Sequence, residues 1–513
     1  MWTAQFVSNV GSWIQTVGAQ WLMLSLTSSA TLLGLIQTAS TLPVLLFSVP
    51  AGVLGDLVDR RRLLLATQAF MVVAAASLGV LALADAVTPW LLLGLIFALG
   101  VGQAFTSPTW QSLQPELVAA DERQQAISLG SVNQNLARAV GPAIGGALLA
   151  LTSAAVLFFV NAASFCAVIV VVVVWRGVRT TRSLPREHVR EATRAGARYV
   201  AASPALRAVL VRTLLLGFFA SAIWALLPLT ASAQLDLGSG GYGILLACVG
   251  VGALGGAALL PSFRNRFRAG TLVTIGSLGL GAVTLVLAVT HVAVIAGLVL
   301  VVGGGAWILS LATLNSVYQL TLPGWVKTRG VGFYLVAFQG GLAAGSFAFG
   351  LVAQQFSLST AFAVATAGLV LGPLAGLRFR FQTIATDELL PAGEWPAPVL
   401  VDGDGQDGPV MVSVEYWARP ECADELVHQL EDLRFSRRRT GASDWRMWRD
   451  AEHPTRYVEQ FVVASWNEHL RQHDRVTVRD QARLERIRGL LDSEHPAQVT
   501  HWVVPPPHDR NSS

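Results

Sequence analysis

The sequence predicts an all-α membrane protein with twelve transmembrane helices in two six-helix repeats, followed by a small α+β soluble domain. The 513 residues are 53% hydrophobic and only 13% charged, with a mean hydropathy of +0.53. Long apolar runs recur through the first 380 residues. Turns rich in Arg alternate with turns that have no basic residue, which is the pattern of a chain that crosses a membrane repeatedly and keeps its basic loops on one side.

The predicted spans are long enough to cross a membrane as helices. A hydrocarbon core of about 30 Å requires roughly 20 mainly apolar residues, and a segment inside lipid must satisfy its own backbone hydrogen bonds. The spans are 1–26, 31–54, 63–84, 90–110, 125–150, 154–175, 207–230, 241–261, 271–290, 292–315, 330–351 and 358–377. They form six-helix bundles within residues 1–175 and 207–380, joined by a basic linker loop at 176–206.

The charge distribution predicts the orientation and the partners. Residues 1–380 contain 21 Arg and Lys against 9 Asp and Glu, whereas residues 381–513 contain 15 against 23. The basic loops are therefore expected in the cytoplasm, facing anionic headgroups of membrane lipids, and no nucleic-acid partner is expected. This topology predicts a multi-pass protein of the bacterial inner membrane with its C-terminal domain in the cytoplasm.

The two halves of the membrane part resemble each other in sequence. After the eighth span, Gly256 and Arg264 keep the eight-residue spacing that separates Gly52 from Arg60 after the second span. A second match of Gln, Pro and Val precedes both the fifth and the eleventh spans. Two such matches predict an internal duplication, and parallel repeats of this kind typically place a substrate site between the halves near the midplane.

The strongest motif is the basic turn between spans two and three, which contains Gly52, Asp56, Arg60 and Arg61. Gly52 allows close helix packing, the carboxylate can accept from neighbouring helix ends, and the arginines can pair with carboxylates or lipid phosphates. The turn resembles the loop signature of the major facilitator superfamily. That resemblance implies a conformational latch, broken and remade during alternating access. A plain basic turn at the membrane edge is the alternative.

Span five contains a Gly-Pro-x-x-Gly-Gly element formed by Gly141, Pro142, Gly145 and Gly146. The proline removes a backbone donor and kinks the helix, and the glycines let a neighbouring helix pack against the backbone. The element resembles the antiporter motif of the superfamily's exporters, which implies export. A kink that serves only packing is the alternative.

Polar residues in two spans form the candidate substrate site. Gln5, Asn9 and Gln15 belong to a polar stripe on span one, which faces either a water-filled cavity or another helix. Arg138 lies roughly 20 Å along span five, near the midplane, where a charge is costly and marks a functional site by default. It either faces an anionic substrate, with Asn133 assisting, or bonds to helix carbonyls.

The residues also limit the mechanism. All nine carboxylates of residues 1–380 lie in or beside loops, so proton coupling is implied by the family resemblance and not by a visible proton carrier. No Gly-x-x-x-x-Gly-Lys loop for ATP occurs. No catalytic group, cofactor or metal site is expected. His469 and His473 have the i, i+4 spacing of metal ligands, but the sequence indicates no third ligand.

A Gly-, Asp- and Pro-rich linker at 381–408 precedes a predicted βαββαβ domain at 409–505, which is a ferredoxin-like split unit. Strands are expected at 410–416, 443–449, 457–465 and 499–504, and helices at 421–438 and 466–491. The domain resembles the antibiotic-biosynthesis-monooxygenase type of dimeric α+β barrel. That resemblance implies a homodimer formed through this domain.

The membrane part and the C-terminal domain together resemble transmembrane secretion effectors, a bacterial branch related to enterobactin exporters. This implies a secondary active transporter, not an enzyme, that exports a siderophore- or drug-like small molecule by proton-coupled alternating access. One alternative is an uptake symporter of the same fold. The other is a membrane-anchored enzyme or sensor acting through the C-terminal domain, against which the polar stripe counts because an anchor needs no cavity.

Overall fold

The computed structural model describes residues 2–57, 59–113, 123–174, 189–323, 326–374 and 409–504. Contacts divide the chain into two compact units. The first unit comprises Met1–Leu184, Val209–Ser316 and Tyr334–Phe381, and the second comprises Pro185–Ala208, Val317–Phe333 and Gln382–Ser513. The predicted linker at 381–408 lies outside the described residues.

The described chain before residue 375 is helical. The first half contains α1 (Trp2–Leu26), α2 (Ala30–Leu57), α3 (Arg60–Leu83), α4 (Pro89–Leu113), α5 (Arg123–Leu151) and α6 (Ala154–Val174). After α7 (Val189–Ala202), the second half contains α8 (Pro204–Leu229), α9 (Ser239–Arg266), α10 (Ala269–Val289), α11 (Ala293–Leu320), α12 (Lys327–Gln355) and α13 (Leu358–Leu371). A π-helical turn at Thr230–Gln234 extends α8.

Within the described residues, nine helices are long and apolar enough to cross a membrane. The helix α1 is not among them because its polar residues lower its hydropathy, and the apolar stretches of α5 and α13 are shorter, at Leu136–Leu151 and Leu358–Leu371. The chain is a multi-pass membrane protein, and the count of twelve crossings remains a prediction.

The linker expected to be a loop contains the helix α7. Its sequence, VREATRAGARYVAA, is rich in Ala and Arg, which are strong helix formers. A single residue, Ser203, separates α7 from α8, and the Arg207 amide donates to the Ser203 carbonyl at 3.1 Å. The two helices therefore follow each other almost directly along the chain.

Glycines allow close helix packing in the second half. A Cβ added to Gly256 of α9 would lie 2.7 Å from Cα of Gly305 in α11, so only a residue without a side chain fits there. Gly304 in α11 likewise lies against the backbone of Val249 in α9. Gly256 is the residue that matches Gly52 in the predicted repeat.

The C-terminal domain consists of β1 (Val410–Trp417), α14 (Ala423–Thr440), β2 (Ser443–Arg449), β3 (Arg456–Val463), α15 (Trp466–Asp474), α16 (Val478–Arg488) and β4 (Gln498–Val503). Its antiparallel sheet has the strand order β2-β3-β1-β4. The single helix predicted over 466–491 is wrong. Thr477 and Asp480 form a capping box that starts a new helix, α16.

One face of this sheet packs against the helices and holds a buried charge. Glu459 is fully buried and accepts hydrogen bonds from Arg437 Nε and Nη2, both at 3.1 Å. The Tyr416 hydroxyl donates to it at 2.9 Å and Trp445 Nε1 donates at 2.7 Å. A buried carboxylate with four hydrogen bonds is compatible with a stable core, whereas removing its partner would leave an uncompensated charge.

Candidate functional site

Three of the predicted cavity residues meet where α1 packs against α5. Asn9 Nδ2 donates to Asn133 Oδ1 at 2.8 Å, and Gln5 Nε2 donates to Asn9 Oδ1 at 3.2 Å. Asn133 is buried and also donates to the Trp2 carbonyl at 3.1 Å. The amides of Gln5 and Asn9 are only partly buried. These residues form a continuous polar chain between two helices of the first half.

Gln15 lies in a different interface, between α1 and α6. Its side chain is buried, and its Oε1 accepts from Asn161 Nδ2 at 2.6 Å. A Cβ added to Gly11 would lie 2.7 Å from Asn161 Oδ1, so a glycine is required where α6 meets this part of α1. Gln15 and Asn9 belong to one polar stripe in the sequence, but their side chains bond to different helices. Nothing in the sequence around Asn161 indicated that it would be the partner of Gln15.

Arg138 lies near the middle of α5. Its position is about 22 Å from the first residue of α5 and about 20 Å from the last, at 1.5 Å per residue. Its guanidinium carbon lies 5.8 Å from the ring centroid of Trp13 on α1, a cation–π contact. Tyr334 of α12 lies within electrostatic range of the guanidinium, and no carboxylate among the described residues does. The arrangement places a cation beside helices from both halves.

The glycines of the Gly-Pro element pack α5 onto α1. A Cβ added to Gly141 would lie 2.5 Å from Cβ of Trp13, and one added to Gly145 would lie 3.1 Å from Cα of Ile14. Pro142 lies within α5 and is buried. The packing role of these residues is therefore visible in the structure, and the same contact holds Trp13 beside Arg138.

Gly146 makes a contact between the halves. Any Cβ on Gly146 would collide with Cα of Gly243 on α9, and the reverse substitution would collide with Gly146. The contact lies toward the arginine-poor end of the helices, defined by loops without Lys or Arg. These loops are 27–29, 84–88, 152–153, 235–238, 290–292 and 356–357. Backbone therefore meets backbone where α5 crosses α9.

Hydrogen bonds also join α2 to α12 toward this end. The Ala30 amide donates to Gln354 Oε1 at 2.7 Å, and Thr38 Oγ1 donates to the Ala343 carbonyl at 2.8 Å. A Cβ on Gly350 would lie 2.7 Å from the Ala30 carbonyl oxygen. The packing is too tight to admit a solute along this seam.

A third contact between the halves centres on Gln20 of α1. The Tyr242 hydroxyl of α9 donates to Gln20 Oε1, and Gln20 Nε2 donates to the Trp224 carbonyl of α8 at 3.3 Å. Gln20 and Tyr242 are both buried. Together with the seams of α5 with α9 and α2 with α12, this contact closes the arginine-poor end.

The latch residues are only partly visible. The side chains at Asp56 and Arg60, and the surroundings of Gly52, lie outside the described residues. Arg61 is described: its Nε donates to the Val172 carbonyl at 3.1 Å and its Nη2 to the Val173 carbonyl at 2.6 Å. A cation at the last carbonyls of a helix satisfies free acceptors and complements the helix dipole. Arg61 thus caps α6.

The second half contains a related contact. Arg264 at the end of α9 donates from Nη2 to the Ala312 carbonyl at 3.1 Å and to Ser316 Oγ at 2.8 Å, both on α11. The side chain of Arg60, which matches Arg264 in spacing, lies outside the described residues. Arg61 holds the sixth helix of the first half, whereas Arg264 holds the fourth helix of the second half. Leu260, where the first half has Asp56, provides no carboxylate there.

The sequence indicates the pair His469 and His473, but His501, which joins them in the C-terminal domain, could not be predicted. His469 Nε2 lies 2.9 Å from His501 Nε2 and 3.2 Å from His473 Nε2, although His501 is distant in sequence. Burial lowers the pKa of His469 to about 4. Among the described residues no group of three or more His, Cys, Asp or Glu is arranged to hold a metal ion. The cluster is a set of mutually hydrogen-bonded imidazoles.

Comparison with known proteins identifies relatives of nearly the whole chain. Residues 1–508 match the family described as transmembrane secretion effector. The multidrug efflux pump Tap of Mycolicibacterium fortuitum is 27% identical over 64% of this chain and 82% of its own length. The staphyloferrin A transporter of Staphylococcus aureus (strain NCTC 8325 / PS 47) is 32% identical over 31% of this chain, and the match spans only 41% of that transporter.

Solved structures share the fold of the membrane part. A bacterial homologue of the human lysosomal transporter Spinster, in an inward-facing and unoccupied conformation, has a TM-score of 0.59 at 16% identity. It covers 75% of this chain and 97% of that one. The nucleoside transporter NupG has a TM-score of 0.54 at 14% identity, covering 74% of this chain and 98% of that one. At these identities the likeness concerns the fold alone.

Proposed function

Since this chain belongs to the transmembrane secretion effector family of major facilitator transporters, we propose that it exports a small anionic or amphipathic molecule across the bacterial inner membrane. It is a secondary transporter and not an enzyme. The observation that carries the proposal is Arg138, a cation in the middle of α5 beside Trp13 of α1 and Tyr334 of α12. A charge in the middle of a membrane-spanning helix costs free energy, and such residues usually belong to a functional site.

The substrate contacts follow from this position. An anion between the halves would meet the Arg138 guanidinium, and the partly buried amides of Gln5 and Asn9 extend the polar surface along α1. Asn133 holds Asn9 in place. Gln15 has a supporting role in this proposal, because its hydrogen bond to Asn161 fixes α1 against α6.

Alternating access is the proposed mechanism. The tight seams at the arginine-poor end would have to separate to release substrate on that side, while the basic turn at Asp56, Arg60 and Arg61 acts as the latch on the cytoplasmic side. The Gly146–Gly243 contact makes the closed state possible, since backbone-to-backbone packing leaves no channel. This is the role we propose for the Gly-Pro element in an exporter.

Direction and energy source are tested in membrane vesicles. The substrate is first identified by comparing the metabolites exported by a strain lacking the protein and a strain carrying it. Energised inside-out vesicles should then accumulate this compound, and a protonophore should stop the accumulation if protons drive export. Accumulation only in right-side-out vesicles would contradict export.

We further propose that the C-terminal domain, in the cytoplasm, pairs with a second copy of the chain. The sheet face that does not pack on the helices exposes Trp448 of β2 and Trp502 of β4, at 50% and 57% of their surface. Two exposed tryptophans on one open sheet face mark an interaction surface. Truncation at about residue 385 should convert the detergent-solubilised protein from dimer to monomer, and an unchanged mass would contradict this pairing.

A further inference from the structure

The helical side of the C-terminal domain contacts α7, the helix that joins the two halves of the membrane part. Arg198 Nη2 of α7 lies 3.1 Å from Glu468 Oε1 of α15, in an ion pair. The next residue, Tyr199, is buried, and its ring centroid lies 6.0 Å from the guanidinium carbon of Arg439 in α14. Val200 is buried as well. One turn of α7 thus supplies a charged side chain and a buried aromatic ring to this contact.

Contacts within the domain fix the Glu468 side chain in the position where it pairs with Arg198. Arg475 Nη1 donates to Glu468 Oε1 at 2.7 Å, and the Glu468 amide donates to Ser465 Oγ at 3.2 Å. Gly441, at a φ of 142°, packs beside the same carboxylate, where a Cβ would come within 3.2 Å of Oε1. Because these bonds belong to the domain itself, little side-chain freedom is lost when Arg198 binds.

The second contact group is held in the same way. Arg439 Nη2 donates to Asp480 Oδ1 at 2.8 Å, and the same oxygen accepts from Ser436 Oγ at 2.6 Å. Asp480 also closes the capping box with Thr477. The guanidinium that faces Tyr199 is therefore fixed by α16, and both charged groups that meet α7 are positioned in advance.

We propose that α7 is the docking partner of the C-terminal domain and that this contact lets the domain control the transport cycle through the linker helix. Only Ser203 separates α7 from α8, the first helix of the second half. A domain bound to α7 therefore acts on the start of that half. Loss of the contact leaves Arg198 without Glu468 and uncovers the Tyr199 ring, which weakens α7, so transport slows. The docking of the domain on α7 does not depend on the proposed transport function, whereas the control of transport by the domain rests on that function.

The docking is tested by cutting the chain between α13 and the domain. A protease site is inserted within residues 381–408 of the full-length protein, and the cleaved protein is passed over a size-exclusion column in detergent. The domain should stay with the membrane part. It should dissociate in the double variant Arg198→Glu, Tyr199→Ala, and stay bound in the control Arg449→Glu, which changes the exposed last residue of β2. Equal retention or equal loss in all three would overturn the docking.

The control of transport is tested with the same variants before cleavage. Proton-driven export of the compound identified above should fall about threefold or more in the double variant, in the range of coupling energies between distant sites, and remain unchanged in Arg449→Glu. If a carrier whose domain has dissociated transports at the normal rate, the domain does not control transport. If transport is absent in every form while cleaved domain still co-elutes, the docking holds and the proposed function fails.

Discussion

The two halves of the membrane part share a packing pattern but differ in chemistry. Each half has an arginine near the end of its second helix that holds another helix, although at different positions: Arg61 holds α6, the sixth helix, and Arg264 holds α11, the fourth helix of its half. Among the described residues, the first half carries the amide chain that runs from Gln5 through Asn9 to α5, together with Arg138 in the middle of α5. The second half contributes Tyr334 near Arg138 and the backbone of Gly243 against Gly146.

This difference distinguishes residues that pack the helices from residues that are candidates for substrate binding. Contacts that occur in both halves serve helix packing, and their loss should affect stability and the conformational equilibrium. Groups present in the first half alone are candidates for substrate contact, and their loss should affect transport with little effect on folding. Substitutions in the two sets should therefore differ in the size of their effect on transport.

Arg138→Gln should have the largest effect. Export of an anionic substrate should fall about tenfold or more, because a hydrogen bond to a charged group is worth roughly 1.5–3 kcal/mol. Transport rate is measured in inside-out vesicles at matched protein levels. The control Arg266→Gln changes an exposed arginine at the end of α9. If Arg138→Gln transports as fast as the unmodified protein, Arg138 does not contact the substrate.

Gly243→Ala should impair transport through the conformational equilibrium. Its Cβ would collide with Gly146, and overpacking of this kind costs about 1–3 kcal/mol, so closure of the arginine-poor end becomes unfavourable. The control Gly255→Ala lies on the same helix, where an added Cβ meets nothing within 4 Å. Substrate leak through proteoliposomes containing each variant is the readout. If both variants behave alike, the glycine contact is not the seal.

Arg61→Gln should have a smaller effect, shared with Arg264→Gln. Arg61 at the C-terminus of α6 contributes about 0.3–1 kcal/mol, and each hydrogen bond from Arg264 to α11 contributes about 0.5–1.5 kcal/mol. Each variant should therefore lower the melting temperature of the solubilised protein by a few degrees. A loss of transport in Arg61→Gln that greatly exceeds the loss in Arg264→Gln would indicate a latch in the first half alone. Equal losses would support a common scaffold role.

The stability of the C-terminal domain should depend on pH. Folding lowers the pKa of His469 from 6.5 to about 4 through burial beside His473 and His501. The unfolded chain therefore binds a proton that the folded domain does not, and stability is complete above pH 6.5 and falls as the pH drops toward 4. Hydrogen exchange of residues 409–504 should show this loss, reduced in His469→Gln and retained in the exposed control His428→Gln. An equal pH dependence in both variants would contradict it.

The sequence predicts the elements well where hydrophobic length or alternation determines them. Each predicted span overlaps a described helix, and the four strands of the C-terminal domain lie within two residues of their expected positions. The errors have local causes. The helix predicted over 466–491 divides because Thr477 begins a new helix through its hydroxyl, and α7 lacks the long apolar run by which the other helices were recognised.

The candidate site was only partly predictable. Arg138 could be found because a charge within an apolar span stands out, and Gly146 because it belongs to a motif. Partners such as Tyr334, Gly243 and Asn161 could not be found, since each is an ordinary residue of its own helix and gains its role only from packing against a distant segment. Likewise, the ion pair between α7 and α15 joins residues far apart in sequence.

The central claim is that the two halves separate at the arginine-poor end during transport. Spin labels on Ser153→Cys, after α5, and Gly238→Cys, before α9, report the distance between the halves at that end by double electron–electron resonance, with the three native cysteines replaced. Alternating access predicts a short distance between the two spin labels at rest and a second population with a longer distance when substrate and a proton gradient are present. Gly243→Ala should favour the longer population. A single distance that neither condition changes would contradict alternating access at this seam.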